Sequence, residues 1–216
     1  MLITAAVEEE VLADLPGGAL RLIRVRDLAR YIDRAVLLQN AGAPEPPYWA
    51  HLWAAALTLA RLVANAAARW RGRRVLELGC GLGVPGLIAA RGGAHVCFSD
   101  RDPDALRFVR RNLCANALQA EVFAMDWQRA AVRGGFDLCL AADVTYDPEA
   151  NPALVDFLAA HLSESGEAWI AESVRTEEQR LPDLLRPRFA LSEQRVAESE
   201  DGHRVWVRVL RARRLP

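Results

Sequence analysis

Along the chain, apolar-rich segments of strand length predict strands at 74–79, 95–100, 120–125, 136–142 and 167–172. Between them lie stretches with helical spacing, at 84–92, 102–116, 151–162 and 176–186. "RVLELG" and "FDLCLAAD" have too few polar positions for a half-solvated strand, so both faces of their sheet are expected to be covered. Alternation of strand and helix then predicts a parallel sheet with helices on both faces. "DPD" at 102–104 supplies an N-cap aspartate followed by proline in the first helical turn.

The ends differ from this middle. "ALRLIRV" (19–25) alternates and predicts a strand, within a first 47 residues that keep no single period. "AGAPEPPYW" (41–49) is a proline-rich break. From Trp49 to about Arg69 the chain is Ala- and Leu-rich without Gly or Pro, which predicts one long helix. Spaced four apart, Trp49 and Trp53 are expected on one face of it. Near the C-terminus "ALSEQRVAES" and "RVWVRVLRAR" flank "EDG" (200–202), a hairpin signal. The expectation is one α/β domain of Rossmann-like class, a parallel sheet ending in an antiparallel hairpin. Residues 1–47 form a cap or lid segment ahead of a main unit over 48–216.

At 216 residues and 52% hydrophobic, the chain can bury a full core of its own. Its net charge of −1 provides no field that would recruit nucleic acid or an anionic membrane. All 27 basic residues are Arg. Cys80, Cys97, Cys114 and Cys139 form no CxxC pair, and read as small buried hydrophobes in a reducing compartment. No apolar run reaches the ~18 residues of a spanning helix. The N-terminus lacks the basic start of a signal peptide. A cytoplasmic protein is expected.

"ELGCGLG" places glycines at 79, 81 and 83, directly after a strand and before a helix. The nicotinamide dinucleotide fingerprint needs its third glycine one position later, where Val84 stands. Asp100 ends the next strand, about 20 residues on, where a carboxylate can take both hydroxyls of a ribose. Strand, glycine turn, helix, strand and acid in this order resemble the class I S-adenosylmethionine (SAM) methyltransferases over about residues 45–210. The resemblance implies a seven-stranded sheet with an antiparallel C-terminal hairpin and SAM as cofactor. It further implies Glu77, Gly79 and Gly81 around the methionine part, Asp100 at the ribose, and Asp126 and Trp127 of "AMDW" at the adenine. Trp53 and Ala142 complete the implied cofactor-binding set.

Two segments narrow the resemblance. "PYWAHLWAAALTLARLV" is similar to an aromatic-rich segment ahead of the glycine turn in the family-16 methyltransferases, which include protein-lysine methyltransferases. "AADVTYDPE" resembles that family's [D/E]xxY motif through Asp143 and Tyr146, which marks these two as the catalytic candidates. Neither NPPY nor DPPY occurs, so amino-methylation of nucleobases or glutamine loses support. Carboxylates suit a cationic amine, and Tyr146 can hydrogen-bond its nitrogen or face the cation. Asp147, Glu149 and Glu172 are candidates for additional negative charge there. His51 is expected at the surface or in packing. The leading expectation is protein-lysine N-methylation. Still open are methylation of a small nicotinamide-like amine, RNA methylation supported only by the arginine cluster 69–74, and SAM binding without catalysis.

Overall fold

The computed structural model describes residues 7–28, 47–129, 132–174 and 180–215. Seven strands form one sheet: β3 (Arg74–Leu78), β4 (His95–Asp100), β5 (Glu121–Ala124), β6 (Phe136–Ala142), β7 (Leu162–Ser173), β8 (Phe189–Glu200) and β9 (His203–Arg214). Their order is β5-β4-β3-β6-β7-β9-β8. The first five strands run parallel, β9 runs antiparallel to β7, and β8 antiparallel to β9. The expected Rossmann-like class, with its antiparallel hairpin, is the observed one. Strand order reverses between β3 and β6, so the crevice for a ligand opens above the carboxyl ends of these strands.

Helices cover both faces. One apolar cluster joins α1 (Ala54–Asn65), α3 (Val84–Arg91) and α4 (Pro103–Ala115) through Leu59, Val63, Leu87 and Phe108. The other joins α5 (Asn151–His161) and the short α6 (Leu181–Leu185) through Leu154, Leu158 and Leu185. Asp102 caps α4 as expected, accepting from the N–H of Asp104 at 2.8 Å, with Pro103 behind it. The helix expected at 176–186 is seen only as Leu181–Leu185, because residues 175–179 lie outside the described residues. β7 begins five residues earlier than expected, with a register shift between its pairings to Phe136 and Leu138.

The long helix expected from Trp49 to Arg69 is three pieces. A 3-10 turn covers Tyr48–Ala50, α1 starts at Ala54, and α2 spans Ala67–Trp70. His51 and Trp53 are extended, with ψ near 143° at both, so Trp49 and Trp53 share no helix face. Intrinsic propensity favoured helix throughout. The start is instead fixed from afar: Glu200, at the end of β8, accepts the Ala54 N–H at 2.7 Å and caps α1. Glu198 of the same strand accepts from Thr58 at 3.1 Å and pairs with Arg61.

Before the sheet, β1 (Glu8–Ala13) and β2 (Leu20–Val25) form a small antiparallel hairpin. β1 was hidden by its three glutamates. Leu20, Leu22 and Val25 are buried in the core cluster with α3 and α4. Asn112 of α4 and Asn116 at its C-terminal cap hold the backbone of β2, accepting from the N–H of Ile23 at 2.6 Å and of Arg21 at 3.0 Å. Residues 7–28 are therefore packed against the back of the glycine-turn helices and line none of the cleft described next. Residues 1–6 and 29–46 of the expected lid lie outside the described residues.

Candidate active site

The glycine turn connects β3 to α3 and forms the floor of a cleft that is open at its mouth. Gly79 and Gly81 both have positive φ, 55° and 52°. A Cβ on Gly79 would lie 2.7 Å from Val144 Cγ1, and one on Gly81 2.9 Å from the Trp49 carbonyl oxygen. Both glycines are required twice, by backbone conformation and by the loops that close over them.

Two carboxylates line the cleft beside this floor. Asp100, at the end of β4, accepts from the N–H of Gly81 and of Asp102, each at 2.9 Å. Glu77, at 1% exposure, accepts from the Gly86 N–H at 2.8 Å. Burial pushes the Glu77 carboxyl up to about 8, against the pull of the Gly86 N–H and with some help from the charge of Asp100. Burial also raises Asp100, opposed by its two backbone donors. Two desolvated acids in one cleft favour a ligand that brings a cation and hydroxyl donors. SAM, with an ammonium, a sulfonium and a ribose, fits that donor set.

Trp127 forms another wall, its ring 3.6 Å from the Cβ position of Gly79. Its buried Nε1–H has no hydrogen-bond partner among the described residues. Asp126 does not line the main cleft. It lines an adjoining pocket with Gln128, Asp147 and Ala150, and the two spaces share Arg101, Trp127, Val144 and Tyr146. The Asp126 carboxylate accepts from the Gln128 N–H at 2.9 Å, which stiffens the 3-10 turn Trp127–Arg129.

The mouth is aromatic. Tyr48 lies between Trp53, at 6.4 Å between ring centroids, and Tyr146, at 5.8 Å. Trp53 donates its indole N–H to the Tyr48 carbonyl at 2.9 Å and packs on His51 at 4.4 Å. His51 thus lines the cleft instead of lying at the surface, with Nε2 4.0 Å from Asp201. Trp49 turns the other way, onto Phe108 at 5.1 Å, and supports the glycine turn with its carbonyl. Arg101 donates to the Tyr146 hydroxyl at 3.1 Å.

Sequence reasoning assembled most of this. Trp53, Glu77, Gly79, Gly81, Asp100, Trp127, Ala142, Asp143 and Tyr146 line one cleft. It missed Tyr48 and Arg101; the position of Arg101 directly after Asp100 was the available signal. Glu172 is not an open negative charge. It is 1% exposed and paired with Arg208 at 2.6 Å. The arginine cluster is at the opposite end of the sheet. Arg69 pairs with Glu167 at 2.5 Å, Arg73 with Asp137 at 3.7 Å, and Arg74 donates to the Gly134 carbonyl at 2.9 Å.

Residues 47–181 match the sequence profile of a family described as lysine methyltransferase. The chain belongs to this lysine methyltransferase family. The zebrafish (Danio rerio) protein N-lysine methyltransferase METTL21A is 35% identical over 70% of this chain and 73% of its own. The Xenopus laevis electron transfer flavoprotein beta subunit lysine methyltransferase is 33% identical over 56% of this chain and 49% of its own. Among solved structures, the T. Thermophilus 16S rRNA methyltransferase RsmC, in complex with AdoMet and guanosine, superposes with a TM-score of 0.65. That match has 22% identity and covers 97% of this chain and 51% of that one. The magnesium protoporphyrin IX methyltransferase of Synechocystis with bound SAM gives 0.60, at 19% identity, over 73% of this chain and 79% of that one. At such identities these two neighbours establish the class I methyltransferase fold. Family membership makes this lysine methyltransferase-family protein a SAM-dependent enzyme. Among its described residues no helix is long and apolar enough to cross a membrane.

Proposed function

We propose that the enzyme transfers a methyl group from SAM to lysine side chains of a protein, in the cytoplasm, where four free thiols are stable. The observation that carries this reading is the convergence of Asp143, Tyr146, Tyr48 and Trp53 at an open mouth beside the glycine turn. Glu77, Gly79 and Gly81 would hold the methionine part of the cofactor, with Trp53 and Ala142 lining its path. Asp100 would bind the ribose, and Asp126 and Trp127 the adenine in the adjoining pocket.

Bound SAM supplies a methyl on a positively charged sulfur, so the protein mainly has to align the acceptor for in-line displacement. A lysine ammonium, with an ordinary pKa of about 10.4, must first lose a proton. The aromatic wall of Tyr48, Trp53 and Tyr146 removes water from the incoming side chain, which favours its neutral form. Asp143 steers the ammonium in, and the Tyr146 hydroxyl orients the nitrogen lone pair. The ammonium proton passes to bulk water at the open mouth before the neutral nitrogen attacks the methyl carbon.

The test is methyl-tritiated SAM with the enzyme and a lysate of the source organism. The expected result is label in protease-sensitive bands, recovered as methyllysine after hydrolysis. Label in nuclease-sensitive material, or only in the small-molecule fraction, would overturn the lysine reading.

A further inference from the structure

Three of the four residues Asp143–Tyr146 are anchored, one after another. Asp143 has a positive φ of 51°, a conformation that L-residues other than Gly rarely hold without outside support. Its support is the end of β7: the Asp143 N–H donates to the Ala171 carbonyl at 2.8 Å. Its two carboxylate oxygens accept from the Ser173 N–H at 2.7 Å and the Ser173 hydroxyl at 2.8 Å. Val144 is buried against Gly79. Thr145, 5% exposed, donates its hydroxyl to Glu172 Oε2 at 2.7 Å. The other oxygen of Glu172 takes Arg208 of β9, at 2.7 Å from Nε and 2.6 Å from the terminal nitrogen. Tyr146 alone of the four projects outward, 46% exposed.

A buried ion pair is a poor source of stability, because removing both charges from water costs about as much as their attraction returns. What it does supply is direction. Glu172 is held by Arg208 from one side and holds Thr145 from the other, so β9 is connected through β7 to the loop that presents Tyr146.

We infer that Glu172, with Arg208 and Thr145, is a buried clamp that positions Asp143 and Tyr146 for methyl transfer, making Glu172 and Thr145 positioning residues of the reaction. The clamp touches neither acceptor nor cofactor. Its effect is on turnover, through where the Tyr146 hydroxyl and Asp143 carboxylate point. It rests on the placement of the acceptor at Asp143 and Tyr146 proposed above, whatever that acceptor is.

Thr145→Val keeps the shape of the side chain and removes only the hydroxyl; Thr145→Ser restores the hydroxyl. The measurement is the rate of label incorporation from methyl-tritiated SAM at saturation, in whichever lysate fraction the unaltered enzyme labels. Loss of the lysine reading therefore leaves this test standing. Thr145→Val is expected to bind SAM within about twofold of the unaltered enzyme and to be slower by about ten- to a hundredfold, the scale of a misplacement near 1 Å. Thr145→Ser is expected to recover most of the rate. A double change, Glu172→Met with Arg208→Leu, removes both charges without leaving one unpaired, and is expected to fold, bind SAM and remain slow. An unaltered rate in Thr145→Val, a loss of SAM affinity as large as the loss of rate, or no recovery in Thr145→Ser would overturn the clamp.

Discussion

At the glycine end of the cleft, acids hold main chain: Asp100 takes the N–H groups of Gly81 and Asp102, and Glu77 takes that of Gly86. At the acceptor end, side chains are held largely by other side chains: Thr145 by Glu172, Glu172 by Arg208, Asp143 by Ser173. The first arrangement leaves a trace in the sequence, because backbone that must bend and approach closely demands glycine at fixed spacing. The second leaves almost none, since its partners are 27 to 36 residues apart and of ordinary polar types. The two ends should therefore respond to substitution in different ways, one through affinity and the other through rate.

The largest effect is expected from Asp100→Ala. It removes the proposed ribose contact and leaves the Gly81 and Asp102 N–H groups without their acceptor. SAM affinity should fall by about a hundredfold or more, roughly 2.7 kcal/mol, and calorimetry reads it directly. Unchanged affinity would remove the cofactor assignment at Asp100. Next come Asp143→Asn and Tyr146→Phe, each expected to lower turnover by about a hundredfold with SAM binding retained, on the scale of a misoriented acceptor. Full activity in both would erase the difference between the ends.

A third effect follows from pH. Glu77 has a carboxyl at about 8 in the folded protein, against about 4.3 for an unfolded glutamate. The folded state therefore binds the extra proton between these values. Its contribution is complete below the unfolded value and is lost as pH rises through about 8. Ligand-free enzyme should lose stability as pH climbs through that window. Glu77→Gln, which can still accept from Gly86, should flatten the slope. Parallel profiles for the two proteins would show that burial of Glu77 does not control its charge. The smallest effect is expected from Glu200→Ala, which uncaps α1 and should cost about 1 kcal/mol, seen as a shift of a few degrees in thermal unfolding.

The same contrast explains what could be read in advance. Strand positions 95–100 and 136–142 and the Asp102 cap were legible because each depends on residues next to one another in the chain. The break between Trp49 and Ala54 was not. An Ala- and Leu-rich run has no internal reason to start at Ala54 until Glu200, 146 residues away, is beside it. β1 was missed because three glutamates in a row conceal a strand in which only Ala13 is buried. In the site, nine of ten expected residues line the cleft, and Asp126 lines the pocket beside it. The roles of His51 and Glu172 depended on side-chain partners that spacing does not encode.

The most direct test of this division is a single calorimetric comparison, in which SAM is titrated into Asp100→Ala and into the double variant Asp143→Asn/Tyr146→Phe. The account predicts binding close to that of the unaltered enzyme in the double variant and severe loss in Asp100→Ala. Equal loss in both, or loss only in the double variant, would contradict it.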